Sequence, residues 1–264
     1  MKSITITSVP GYDEWRNASR DCLAQAIPAE NIVWQSADCV QDDLFGHSEV
    51  SMAPGKAQTS HCIPKSVLIL LRFALCHRDT GRFALCYRIL WRVVFENKNL
   101  LQIKTDEDVL QLLTLAKAVK RDAYKISAFL RFRKVVLDGQ EHFIAWYEPE
   151  HFSLEMKLDF FKTRFKNMRW SILTPYRAAH WDTKALTLED NPDPGVCPAE
   201  DCVENYWLTY YANIFNPARV KKSAMLSSMP KKYWKNMPET SLIEDMIRQS
   251  DARARKMITD GNHR

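Results

Sequence analysis

Apolar and polar residues alternate from Met1 to Val9, with the β-branched run Ile4-Thr5-Ile6-Thr7 inside the alternation. A period of two carried by β-branched residues predicts a strand. From Asp13 the period lengthens. Trp15, Ala18, Cys22 and Ala26 recur at helical spacing, with Asp13 placed to cap the helix and Pro28 to stop it. Ile32-Val33-Trp34 reads as a second short strand. Ser36 to Cys62 is polar, contains Gly46, Pro54 and Gly55, and has no period, which predicts a loop or linker.

Pro64 opens the next helical pattern, at a position where its missing N–H costs nothing. Within it RFALC occurs twice, ten residues apart. Ten residues at about 100° each fall some 80° short of a whole turn, so one straight helix would not superpose the copies. Asp79-Thr80-Gly81 offers a break, and a helix pair joined by a tight turn is expected. Thr105 with Asp108 resembles a capping box for a third helix reaching about Ala128. The period then returns to two. Phe129 to Leu137, the turn Asp138-Gly139, and His142 to Tyr147 predict a β-hairpin.

Leu154, Leu158, Phe161 and Phe165 mark another helix, and Trp170 to Leu173 and Arg177 to Leu188 two further strands. Asn191 to Ala199, rich in proline, is a loop. Helices are expected over Asp201 to Phe215, Pro217 to Ser228, and Glu239 to about Met257. The sum is an α+β fold: a mostly antiparallel sheet with helices gathered beside it and a helical C-terminal third. Residues 1–64 read as a strand–helix segment with a linker, and residues 65–264 as the main domain.

Composition narrows the class. With 264 residues, 46% hydrophobic and 26% charged, the chain can bury a sizeable core. No window approaches the roughly 18 uninterrupted apolar residues of a membrane helix, and no apolar signal segment follows Lys2, so a cytoplasmic protein without a membrane partner is expected. Seven cysteines are scattered without a CxxC pair, which suits buried thiols and supplies neither a zinc site nor an iron–sulfur cluster. No cofactor and no metal are expected. The net charge of +5 conceals a balance of −4 over residues 1–64 and +9 over the remainder, so the body suits an anionic partner.

Three clusters carry that charge. In Lys117 to Lys134, Lys117, Lys120, Arg121 and Lys125 share a helix face, and Arg131 and Arg133 are expected to point the same way from a strand. Lys162, Arg164, Lys166 and Arg169 form the second. The third runs from Asn205 to Pro238 with six basic residues and no acid. It contains SMPKKYWKNMPE, in which Lys231, Lys232 and Lys235 surround Tyr233 and Trp234. Cations on one surface bind phosphates, and aromatic faces beside them stack bases. The same pattern also describes solvated helix faces over a core of aromatics. In SMPKKYWKNMPE one aromatic is expected to anchor the loop, Trp234 before Tyr233, while the lysines stay solvated.

Two motifs could carry chemistry. WYEPEH holds Glu148 and His151, and TPYRAAHWD holds His180 and Asp182; each puts a histidine within three residues of a carboxylate beside a tryptophan. Either pair could serve as acid and base or as half of a metal site, though such pairs are more often structural hydrogen bonds or ion pairs. Alternation along one strand would set His180 and Asp182 on one face, and His151 and His180 are expected to lie close together. No phosphate-cradling glycine motif, zinc-protease motif or nucleophile elbow is present.

CHRDTGRFALCYRILWR, AKAVKRDAYKISAFLRFR, FIAWYEPEHF, MRWSILTPYRAAHWD, TYYANIFNPARVK and MPKKYWKNMPE together resemble a bacterial domain of unknown function described as a probable DNA metabolism protein. The likeness covers about residue 65 onward. YDEWRNASRDCLAQAIPAENIVW and DDLF are similar to the start of the subfamily that precedes a UdgX-type uracil-DNA glycosylase domain. Other members stand beside a radical-SAM protein. LTLEDNPDPG departs from the Gly-Pro-Gly more usual there.

The resemblance implies DNA and a repair enzyme, a uracil-DNA glycosylase-type domain or a radical-SAM protein, as partners. It does not bring uracil excision to this chain, which lacks glycosylase motifs and cluster cysteines. The expected function is a DNA-associated accessory domain. An enzyme acting on DNA or a nucleotide through the histidine motifs, and a protein-interaction scaffold, remain as alternatives.

Overall fold

The structure, a computed structural model, describes residues 1–36, 62–137, 139–190, 192 and 222–243. The chain forms two compact units, Met1–Tyr124 with Pro149–Met156, and Lys125–Glu148 with Lys157–Arg264.

In the first unit, strands β1 (Lys2–Ile6) and β2 (Ile32–Ser36) pair in parallel, joined through helix α1 (Tyr12–Ala24). Gly11 rather than Asp13 caps α1, and it does so at φ 84. A Cβ there would stand 2.4 Å from the Ile6 side chain, so the close approach of strand and helix requires glycine. The buried stripe is Trp15, Ser19, Cys22 and Leu23; Ala26, expected on it, lies past the helix end at φ 48.

Helices α2 (Lys65–Leu75) and α3 (Arg82–Phe95) form the expected pair, with Pro64 as the cap of α2. Asp79 accepts a 2.7 Å hydrogen bond from the Gly81 N–H and makes the break between the two copies of RFALC. Helix α4 (Glu107–Phe129) begins on Asp106, whose carboxylate accepts from the Val109 N–H at 3.1 Å. The capping residue is thus one place later than Thr105, and Arg92 holds it by charge-assisted bonds of 2.6 and 3.0 Å.

Residue 64 lies inside this unit. Ile6, Trp15, Cys22 and Ile32 share one core with Leu71, Phe83, Tyr87, Ile89 and Leu112. The Trp15 indole donates to the Phe83 carbonyl at 3.1 Å, and the Tyr87 hydroxyl to the Ile27 carbonyl at 2.7 Å. Three of the four described cysteines, Cys22, Cys76 and Cys86, are buried, and burial pushes the Cys86 thiol far up, so it packs as an apolar side chain.

The second unit is built on five strands in sequence order: β3 (Arg133–Leu137), β4 (Gln140–Trp146), β5 (Trp170–Leu173), β6 (Arg177–Trp181) and β7 (Leu186–Asp190). Three of the four pairings are antiparallel, and β4–β5 is parallel, its connection containing α5 (Leu158–Arg164). The α+β class with a mostly antiparallel sheet is therefore what the sequence pattern implies. Gly139 turns the β3–β4 hairpin at φ 73.

Two strand expectations need correction. α4 runs on through Phe129, so β3 starts only at Arg133. The run Arg177 to Leu188 is two strands, broken where Asp182 accepts from the N–H groups of Lys184 and Ala185 and Thr183 takes φ 83. One sheet face carries Trp170 and Trp181 against Phe132, Phe161 and Phe165. The other carries Ile144, Leu173 and Ala178, with Val135 and Trp146 packed on them.

Of the C-terminal third, the helix Lys222–Ser228 and the 3-10 turns Lys231–Asn236 and Pro238–Leu242 are described. The loop expected between Ser36 and Cys62, most of the loop from Asn191, and the helices over Asp201 to Phe215 and beyond Ile243 lie outside the described residues. No described helix is long and apolar enough to cross a membrane.

Candidate functional site

The 3-10 turn Lys231–Asn236 follows Pro230, whose φ of −58 and ψ of 140 end the preceding helix. Tyr233 within the turn and Met237 just past its end are both buried. Tyr233 is 4% exposed, between the rings of Phe129 and Tyr147, each 5.4 Å away and the latter nearly parallel. The anchor is therefore Tyr233, and the expectation of Trp234 is corrected. Trp234 stays half-exposed; its N–H donates to the Met229 carbonyl at 3.1 Å, and the Lys231 amine lies 5.6 Å from its ring.

The three lysines are exposed, as the sequence implies, but they are not equivalent. Lys235 Nζ meets both carboxylate oxygens of Glu148, at 2.6 and 2.7 Å. The bonds from Lys235 and from the Trp146 indole hold Glu148 below its ordinary carboxylate range. Glu148 is thus a permanent anion at neutral pH, unsuited to act as a general acid, and Lys235 is already spent on it. Lys231 and Lys232 are exposed as well, with the Lys232 amine 4.9 Å from the Tyr233 ring and that of the half-buried Lys125 at 5.6 Å.

The other basic candidates belong to different units. In the first, Lys120 and Arg121 are exposed on α4, with the Lys120 amine 4.9 Å from the Phe73 ring. In the second, Arg131 precedes β3 instead of standing on it. Its guanidinium donates to the carbonyls of Ala128 and Leu130 at 2.9 and 3.1 Å and satisfies the end of α4. Arg133 stands on β3 opposite Ile144.

His151 belongs to the first unit and His180 to the second. His151 stacks on His77 at 4.1 Å, and its N–H donates to Asp122 at 2.9 Å. Burial, then the charge of His151, holds His77 below its usual value. Asp122 is buried and accepts as well from the Glu150 N–H and the Ser153 hydroxyl, so it ties residues 150–153 to α4. Asp182 is the turn cap described above; its backbone bonds to Ala185 and Lys184 hold it low, and it lies past the end of β6 at Trp181, so it does not share a strand face with His180.

The carboxylate that meets His180 is instead Glu189, at 3.3 Å from Nε2. On its other side His180 Nδ1 lies 2.7 Å from Ser171 Oγ, which lies 2.8 Å from His142 Nε2. His142, Ser171, His180 and Glu189 come from β4, β5, β6 and β7 and form one polar row across the sheet. Sequence reading missed three of these four, because each sits alone in its own strand. The period of two gives the face of each strand but not the register between strands. Among the described residues no group of three or more metal-ligating side chains converges.

No curated protein and no solved structure matches the chain. A family model does, over residues 80–239, which is more than half of the sequence. That span contains the helix α4, the five-stranded sheet with its polar row, and the lysine turn, so the chain belongs to the family described as Domain of unknown function (DUF4130).

Proposed function

We propose that this chain is a nucleic-acid-binding accessory domain, with DNA as its partner and a repair enzyme of uracil-DNA glycosylase or radical-SAM type as its co-worker. The observation that carries the binding reading is the Lys231–Asn236 turn. A buried Tyr233 fixes a short 3-10 segment, on which Lys231 and Lys232 are exposed beside the half-exposed face of Trp234. Cations held by a rigid turn meet phosphates, and the indole face gives a base something to stack on. The repair context rests on the resemblance of the ordered motifs.

The test is titration of single-stranded oligonucleotide at several salt concentrations, with the wild-type chain and the double variant K231Q/K232Q. Each phosphate contact contributes about 0.7 to the slope of log affinity against log salt for single strands. The variant should therefore bind more weakly at low salt and show a slope smaller by up to about 1.4. An unaltered slope would leave the turn as packing alone, and no binding by wild type at low salt would remove the function.

A further inference from the structure

The polar row fixes its own proton positions. A carboxylate only accepts, so His180 Nε2, facing Glu189, carries a proton. In the neutral ring Nδ1 is then bare and accepts from the Ser171 hydroxyl. The Ser171 oxygen is left to accept from His142 Nε2–H. One nitrogen of the row remains bare, His142 Nδ1, and it makes no hydrogen bond within the row. That nitrogen is the open acceptor of the row.

That nitrogen has a cationic neighbour. Phe143 pairs with Trp170 in the parallel β4–β5 register, so the residue before each, His142 and Arg169, also stand side by side. The Phe143 N–H donates to the Arg169 carbonyl at 3.0 Å, which fixes this alignment. Arg169 shares the parity of Ser171 and is exposed. Among the described residues, the charged groups on this face are Arg133 from β3, Arg169, His180 and Glu189, and the Asp182 carboxylate just past β6 interacts with Arg169, so a bound anion competes with it there; Lys134 and Glu141 pair on the opposite face. Burial keeps His142 below the usual imidazole range, and His180, when its ring is protonated, and Arg169 add to this, as expected of a ring that waits for an anion before charging.

We propose that His142 and Arg169 form a phosphate-binding site in which binding of the anion is coupled to uptake of one proton by the His142–Ser171–His180–Glu189 row. The bound phosphate accepts from His142 Nδ1–H and from the Arg169 guanidinium, and relieves the repulsion between the two cations. Ser171, 5% exposed and bonded to both imidazoles, passes polarisation along the row and is not a nucleophile. The ligand chemistry is a phosphate group, carried by a free nucleotide or by a strand.

The site goes beyond the lysine turn and stands independently of it, since a small anion can bind here whether or not the turn holds nucleic acid. Sulfate is the first probe, because its charge does not change across the histidine range. Calorimetry with the full chain should show sulfate affinity falling about tenfold per pH unit above the His142 pKa, the limit for one coupled proton. The His142 ring resonance should move on addition of sulfate. His142→Gln should make the affinity independent of pH.

Glu189→Gln changes an exposed side chain and leaves the fold alone; it should shift the same profile to lower pH. Deoxythymidine monophosphate binding as tightly as an oligothymidylate assigns the site to free nucleotides, and much tighter oligothymidylate binding assigns it to a strand. A wild-type affinity without pH dependence, a His142 resonance unmoved by sulfate, or an unchanged profile in His142→Gln overturns the proposal.

Discussion

Lys235 Nζ stands 2.6 and 2.7 Å from the two carboxylate oxygens of Glu148, joining the end of β4 to the lysine turn within the second unit. Two residues that the sequence assigns to different tasks, a phosphate contact and a catalytic carboxylate, are thus each other's partner. Both side chains are more than a third exposed, so the pair contributes about 0–1 kcal/mol. Its effect is local: it orients the turn.

The pH dependence of that pair has a definite sign. The folded-state pKa of Glu148 is depressed, first by Lys235 and then by Trp146. Its stabilisation is fully present above the unfolded value of about 4.3 and is lost as pH falls through the lower folded value. Tryptophan fluorescence of the turn should change over that acid window at low salt. The change should be absent in Glu148→Gln and weaker at high salt.

Truncating the two aromatics of the turn should separate their roles. Tyr233→Ala removes a ring packed between Phe129 and Tyr147 and should cost about 3–5 kcal/mol, as other buried aromatic truncations do. Trp234→Ala, at a half-exposed position, should cost about 1 kcal/mol and weaken oligonucleotide binding instead. Urea melts beside a DNA titration decide it; the reverse ranking of the two costs would restore Trp234 as the anchor.

Asp122→Ala should lower stability by roughly 3 kcal/mol or more, since two backbone N–H groups and the Ser153 hydroxyl lose a buried anionic acceptor together. Hydrogen exchange at the Glu150 and His151 amides should accelerate in the same variant. Protected amides there would mean that the segment is held by other contacts.

Asp106→Ala should cost about 1–2 kcal/mol at neutral pH through loss of the α4 cap. Arg92 keeps Asp106 below its usual pKa, so this contribution is present above about pH 4 and disappears as pH falls through the lower folded value. Melts of wild type and variant should therefore converge in acid. A difference that persists at low pH would show that the Arg92 ion pair is not its source.

How far the sequence carried depends on the range of the interaction that decides each feature. The α2–α3 break at Asp79-Thr80-Gly81 and the hairpin turn at Gly139 are set by the few residues around them, and both stand where the pattern put them. Helix starts are less legible, by a residue or two, because a cap depends on which group reaches the orphan N–H. Asp106 won over Thr105 where Arg92 holds it from another helix. Asp182 looked like the next outward residue of a strand after His180, yet its carboxylate closes a turn of its own.

The sequence by itself determined the fold class, the exposure of the loop lysines and the burial of one aromatic beside them. Each follows from periodicity, charge and turn chemistry within about a dozen residues. Tertiary structure alone decided which aromatic is the anchor, which lysine is spent on Glu148, and which carboxylate faces His180. Those choices turn on strand register and on contacts between residues as far apart as Glu148 and Lys235, and no local pattern encodes a distance between distant segments. The row of His142, Ser171, His180 and Glu189 exists only because four strands bring single polar residues to one face at matching heights.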